Sequence, residues 1–258
     1  MTEGGRVREA GAPVTPPFPV KRLHEVCERA GLRAPAEQKL TTLLRSIAAD
    51  PEAPTSVTSP EEAVDAHVAD SLSVLPLLRG RSGPEAIVDI GSGAGFPGLP
   101  LAVAFDQAEV DLLEASARKC RFIERAIGAL EQRNARVVCD RVENWARSRG
   151  AGRYSLAVVR AVAPLSTLVE YASPLLREGG LLIAWKGARD VAEERQGAAA
   201  SRMLGMSPRE VKAVTPFAEA RHRHLHVFEK TARTPAGIPR RTGVARKRPF
   251  GAERSGSN

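Results

Sequence analysis

Two hydrophobic periodicities divide the chain. Val20, Leu23, Val26, Cys27 and Ala30 recur at helical spacing. Leu40, Leu43, Leu44 and Ile47 form a second stripe, and Pro35 separates the two, so a helical hairpin is predicted over residues 20–49. A loop over residues 50–58 follows. Ser59-Pro60-Glu61-Glu62 then combines an N-cap, a proline for the first helical position and a glutamate that completes a capping box. The helix it starts is expected to bury Val64, Val68, Leu72 and Leu75, with His67, Asp70 and Ser71 on the edge of that stripe.

From Ala86 the pattern changes to short β-branched runs alternating with helical stripes. Strands are predicted at 86–90, 109–114, 135–139, 155–160, 181–186, about 209–216 and 223–229. Helices fall at about 97–105, from Ser116 through Leu130, at 164–177 and at about 190–204, with a helical turn near Glu143–Arg147. Such alternation specifies an α/β, doubly wound, mostly parallel sheet, here with a small N-terminal helical extension. The expected divisions are a disordered Pro-rich leader at 1–19, a helical region at 20–80, the α/β region at 81–230 and a disordered basic tail at 231–258.

Composition narrows the partners. The 258 residues carry a net charge of +8, which favours a polyanion such as nucleic acid. Three cysteines, Cys27, Cys120 and Cys139, at wide spacing suggest neither a disulfide framework nor a zinc site, and so a reducing, cytoplasmic setting. Cys139 is expected to be a buried core thiol. No apolar run approaches the roughly 20 residues needed to span a bilayer, and no metal is expected. A monomer is expected.

The candidate chemistry starts at Ala86–Gly98. A β-branched strand runs directly into Gly91, Gly93 and Gly95, then Phe96-Pro97 and an apolar segment. Strand, glycine turn and helix make a nucleotide-type site. The spacing is not G-x-G-x-x-G, the pattern that receives a pyrophosphate. Glu114 ends the second strand, where a carboxylate accepts hydrogen bonds from ribose hydroxyls. Loop and acid together fit NAD or S-adenosylmethionine, and the spacing favours the latter. The loop after the third strand, Cys139-Asp140 and Arg141-Val142-Glu143, is placed to flank an adenine.

These residues resemble the small-subunit ribosomal RNA methyltransferase G family, also called glucose-inhibited division protein B. Val88–Pro100 is similar to its glycine motif, His67-Val-Ala-Asp-Ser71 to its H-x-x-D-S helix and Glu114–Phe122 to its acid-then-basic segment. Arg141-Val-Glu143, Arg160-Ala-Val-Ala163, Trp185-Lys-Gly187 and Arg223-His-Leu225 follow in the same order. The resemblance implies a Rossmann-like class I methyltransferase domain over 81–230 that methylates N7 of one guanine of 16S rRNA (guanine 527 in customary rRNA numbering), free or in the 30S subunit. It implies S-adenosylmethionine contacts at Gly91, Phe96, Val142, Glu143 and Arg160, beside the Gly93, Gly95 and Glu114 read from the motif. It also brings His67, Asp70, Ser71, Arg118, Lys119, Arg121 and Arg223 to the RNA-facing side.

The chemistry agrees. Guanine N7 carries a lone pair and no proton, so it attacks a sulfonium methyl directly and catalysis is positioning without a general base. No Asn/Asp-Pro-Pro-aromatic motif and no Pro-Cys pair follows the fourth strand. Arg160 and Lys186 end the fourth and fifth strands at the ligand-binding edge and are the candidate catalytic residues. Arg160 suits a methionine carboxylate or a guanine acceptor, and Lys186 a phosphate or guanine O6. Arg118, Arg121 and Arg125 form a basic stripe suited to an RNA backbone. Two alternatives remain open: a non-catalytic RNA-binding protein on the same scaffold, and an NAD-binding oxidoreductase.

Overall fold

The computed structural model describes residues 18–57, 59–79, 83–160 and 162–251. Apart from Phe18 and Pro19, the expected leader lies outside them. The N-terminal hairpin is α1 (Val20–Ala30) and α2 (Ala34–Ala49). Gly31 closes α1 in the left-handed region, at φ 71°, with its N–H on the Cys27 and Glu28 carbonyls. Pro35 opens α2 rather than only separating the helices, because the first turn of a helix needs no N–H there.

The next helix is built in pieces. α3 (Pro60–Ala63) starts at Ser59, whose Oγ accepts the Glu62 N–H at 3.3 Å. The Ser59 hydroxyl itself donates to Glu61 rather than being answered by Glu62. The chain then widens into a π-helical stretch, Val64–Ala69, before α4 (Asp70–Leu72) and α5 (Leu75–Leu78). Wide turns of this kind concentrate at functional sites, and this one lies beneath the cleft described below.

Seven strands form one sheet in the order β3-β2-β1-β4-β5-β7-β6. They are β1 (Ala86–Ile90), β2 (Glu109–Glu114), β3 (Ala135–Cys139), β4 (Tyr154–Arg160), β5 (Leu176–Lys186), β6 (Met206–Val214) and β7 (Arg223–Lys230). The first five are parallel, and β7 and β6 run antiparallel at the edge. β5 begins five residues before the expected Leu181, because Gly179 at φ 80° and a register shift opposite Tyr154 and Leu156 carry the Glu178-Gly-Gly turn into the strand. The helices between them are α6 (Gly98–Ala104), α7 (Ala117–Leu130), α8 (Val142–Trp145), α9 (Leu165–Ala172) and α10 (Val191–Met203).

Apolar clusters cover both sheet faces, as a parallel sheet demands. Leu23, Leu40, Leu43 and Val68 of the helical region share one of them with Ile87, Leu101 and Leu112, so those helices roof the sheet. The order of connection reverses between β1 and β4, the place where α/β sheets open a ligand crevice.

Two expectations are corrected. The tail is not disordered between residues 231 and 251. Arg240 forms an ion pair with buried Glu170 and lies 4.1 Å from the Phe250 ring centroid, and α11 (Val244–Lys247) packs Ala245 into the second cluster. Charge-rich composition misled here because Arg240 is matched by the Glu170 carboxylate and by the Arg248 carbonyl at 2.8 Å, and Arg147 donates to the Pro239 and Arg240 carbonyls at 3.0 and 2.7 Å. Second, Cys120 and Cys139 are joined as a disulfide with a Cα–Cα separation of 5.8 Å, and Cys139 is exposed at the end of its strand. The β2–β3 register sets Cys139 beside Glu114, six residues before Cys120 on the following helix. The cysteines therefore no longer argue for a reducing compartment. Among the described residues no helix is long and apolar enough to cross a membrane.

Candidate active site

A cleft of about 510 Å³ opens at the carboxyl ends of β1, β2, β3 and β4, in the size range of small-ligand sites. The glycine turn forms its floor. Gly91, Gly93 and Gly95 all sit at positive φ, 73°, 60° and 89°. A Cβ on Gly91 would lie 2.8 Å from Val162, and one on Gly95 would lie 2.5 Å from Leu99, so neither position has room for a side chain. The turn is tied at both ends: Gly91 N–H donates to the Leu113 carbonyl at 2.8 Å, and Gly98 N–H donates to the Asp89 carboxylate at 2.9 Å.

Glu114 faces this turn across the cleft. Its Oε2 accepts the Gly93 N–H at 3.1 Å, and its Oε1 accepts the N–H groups of Ala115 and Ser116 at 2.9 Å each. Three backbone donors hold the carboxylate in place and leave it acceptor capacity for a ligand hydroxyl. Val142 and Glu143 line the same cleft from the first turn of α8, with Asp140 and Arg141 before them. Asp140 shapes that loop by accepting from Arg141 N–H at 2.7 Å and from Asn144 at 3.1 Å. Glu143 is buried and takes the Gly243 N–H at 2.8 Å. Lys119 completes the rim from α7.

Arg160 also lines the cleft, but its guanidinium points down into the protein. It donates to the Ala66 carbonyl at 2.7 Å and to the Asp70 carboxylate at 2.9 Å, and its Cζ lies 5.7 Å from the Phe96 ring centroid. His67 stacks on the other aromatic partner: its ring and that of Phe96 are 4.3 Å apart and 10° from parallel. His67 Nε2 and Thr55 Oγ1 share a hydrogen bond of 2.9 Å, and the Ser71 hydroxyl donates to the His67 carbonyl. His67, Asp70 and Ser71 are 7%, 5% and 0% exposed. His67 lines the cleft beside Thr55, and Asp70 and Ser71 are buried. The π-helical stretch turns them inward, where they seat Arg160 and Phe96.

The other basic candidates separate. Lys186 lies outside the main cleft in an adjoining groove that shares Val162 with it, and its Nζ pairs with Glu193 at 2.6 Å. Glu193 also accepts the Leu165 N–H at 2.8 Å. Arg223 is exposed at the start of β7, next to the residue opposite Lys186. The stripe on α7 is partly engaged. Arg118 donates to the Glu52 carbonyl at 3.3 Å and Arg125 pairs with Asp50 at 2.6 Å, so both fasten the 50–57 loop, while Arg121 is exposed on the same helix. Tyr171, Gly243 and Arg246 line the cleft without having been expected; none belongs to a local motif.

Two buried groups beneath the cleft are shifted in opposite directions. Burial, with the Arg160 charge beside it, pushes His67 down to about 4 from its ordinary 6.5. Burial pushes Asp89 up to about 7 from 3.8, against the opposing Gly98 hydrogen bond. His67 is neutral in the fold, so its contribution is present above pH 6.5 and is lost as pH falls through about 4. Asp89 has the opposite sign: its contribution is present below 3.8 and is lost as pH rises through about 7. The expected result is that the Tm advantage of the wild type over His67→Gln narrows as pH is lowered from 7 to 5. A difference that stays constant across that range would contradict the shift.

The arrangement has the elements expected from the sequence. It has a glycine turn, a fixed carboxylate on β2, an acidic loop after β3 and a cation after β4. Comparison with known proteins agrees. The family model described as rRNA small subunit methyltransferase G matches residues 40–225. The chain is 38% identical over 197 residues to Ribosomal RNA small subunit methyltransferase G of Desulfitobacterium hafniense, covering 76% of this chain and 81% of that one. It is 42% identical over 188 residues to the protein of the same name from Chloroflexus aggregans, covering 71% and 76%. Among solved structures, a branched-chain polyamine synthase mutein from Thermus thermophilus superposes with a TM-score of 0.55 at 16% identity, over 78% of this chain and 64% of that one, a likeness of fold alone. With the sheet order and helices described above, the fold is the Rossmann-like class I methyltransferase fold. On these matches the chain belongs to the rRNA small subunit methyltransferase G family.

Proposed function

We propose that the protein transfers a methyl group from S-adenosylmethionine to N7 of a guanine in 16S rRNA, guanine 527 in customary rRNA numbering. The observation that carries the cofactor is the pairing of Gly93 with Glu114 across the cleft, which puts a fixed carboxylate acceptor against an open glycine floor. S-adenosylmethionine supplies an electrophilic sulfonium methyl, which N7 takes with its lone pair while the C–S bonding electrons return to sulfur and the positive charge passes to the base. No proton leaves in that step, so the chain has to position rather than deprotonate.

The residues support such a role. Glu114 is set for the ribose hydroxyls and the Val142–Glu143 turn for the adenine edge. Phe96, backed by His67 and Arg160, forms part of the cleft wall. Several titratable cleft groups are engaged already: His67 with Thr55, Glu114 with three backbone donors and Glu143 with Gly243. The transfer asks none of them to take a proton. The groove holding Lys186 and Glu193 adjoins the cleft at Val162 and suits the target nucleotide, because an ammonium serves phosphate or guanine O6 and a carboxylate serves guanine N–H groups. The net charge of +8 supports a polyanionic substrate.

Calorimetric titration tests the cofactor. S-adenosylmethionine is expected to bind and NAD is not. Labelled methyl groups are then expected in 16S rRNA, offered as 30S subunits or as naked RNA. A chain that binds the cofactor and RNA yet labels neither would be a non-catalytic binding protein on this scaffold.

A further inference from the structure

The C-terminal segment enters the cleft. Residues 239–251 lie beyond the 40–225 span of the family model, yet Gly243 and Arg246 line the same cavity as Glu114 and Glu143. We propose that this segment is a working wall of the cofactor site, with Arg246 contacting the adenosine part of the ligand and Gly243 acting as a positioning residue for Glu143. The proposal rests on the S-adenosylmethionine reading above.

The segment is fastened rather than draped. Arg240 pairs with Glu170, which is 2% exposed, and the Thr167 hydroxyl donates to the Ala245 carbonyl at 3.3 Å. Arg147, just past α8, donates to the Pro239 and Arg240 carbonyls. These bonds tie the segment to α9 on one side and to the α8 region on the other, so it bridges the cleft at its β3 side. Gly243 is left-handed, at φ 80°, and directs its N–H to Glu143 Oε1 at 2.8 Å. One oxygen of Glu143 is thereby fixed, and the other remains an acceptor for an amino group such as adenine N6.

Arg246 adds the complementary donors. Arg246, Glu143 and Tyr171 all line the cleft. A guanidinium offers five N–H donors and a flat cationic face, and adenine offers ring-nitrogen acceptors and a π face. A carboxylate and a guanidinium lining one cleft thus match an adenine edge, which carries a donor next to an acceptor. The exposed Arg241, outside the cavity lining, is the control for charge alone.

The test uses the full chain and three ligands: S-adenosylmethionine, S-adenosylhomocysteine and adenosine. Arg246→Ala is expected to raise Kd for all three by about tenfold, the loss of one charge-assisted hydrogen bond. Arg246→Lys should recover part of it, and Arg241→Ala should leave Kd unchanged. Tm should move by no more than a degree or two in each, since these side chains are exposed. Arg240→Met, which frees the anchor, should raise Kd and expose the segment to trypsin, with S-adenosylmethionine adding protection in the wild type but not in the variant. Unchanged Kd in Arg246→Ala, or an equal rise in Arg241→Ala, would overturn the proposal. Failure of the wild type to bind S-adenosylmethionine would instead sink the cofactor reading on which it stands.

Discussion

Glu114→Ala is expected to weaken S-adenosylmethionine binding by about two orders of magnitude while the chain stays folded. The carboxylate is an anionic acceptor held against the glycine floor, and it holds the floor in turn through Gly93. Removing it takes away its hydrogen bonds to the ligand and frees the Gly93 N–H, so binding loses both contact and preorganisation. About 3 kcal/mol, the worth of two charge-assisted hydrogen bonds, corresponds to that factor. Stability suffers less. The abandoned donors of Gly93, Ala115 and Ser116 lie at a cleft where water replaces the carboxylate. Glu114→Gln, which keeps an acceptor but loses the charge, should fall between the two. Calorimetry for affinity and a melting curve for fold decide it; an unchanged Kd would remove Glu114 from the ligand.

Arg160→Ala is expected to cost both activity and stability. Its guanidinium donates to Oδ2 of Asp70, a residue that is 5% exposed and whose Oδ1 has no hydrogen-bond partner. Stripping the cation leaves a buried carboxylate uncompensated, a loss of about 3–5 kcal/mol. The same change takes the charge from beside Phe96 and opens the cleft wall. A second substitution separates the effects. Arg160→Ala with Asp70→Asn should regain most of the lost Tm, because an amide needs no counter-charge, while rRNA methylation remains down by about two orders of magnitude. If the double variant regains turnover along with Tm, Arg160 serves only to neutralise Asp70 and has no part in the site.

The glycine motif was legible because its constraints are local. A strand that must stop, a turn at positive φ and a helix that must start all fall within thirteen residues. Glu114 was legible for the same reason, since a strand end and a fixed offset place it. What escaped was set by distance along the chain. Arg240 meets Glu170 across 70 residues and Gly243 meets Glu143 across 100, so the basic segment looked unpartnered. Cys120 and Cys139 come together only through the β2–β3 register. His67, Asp70 and Ser71 look like a helix edge on a regular 100° step, but the π-helical stretch changes that step and turns them inward. The set of buried Asp111 and Tyr154 with half-buried Trp145, in which Tyr154 donates at 2.6 Å to Asp111, joins two strands and α8 and has no signature in any one of them.

The position of the transferred methyl is the most direct test. After incubation with labelled S-adenosylmethionine and 30S subunits, the rRNA is digested to nucleosides and, in parallel, reduced and cleaved with aniline, which breaks the chain at 7-methylguanosine. Direct attack by a lone pair predicts one labelled nucleoside, 7-methylguanosine, and one cleavage, at guanine 527. Label on a ribose 2′-oxygen or on an exocyclic amino group would contradict it, since those acceptors must lose a proton on methylation and N7 has none to lose.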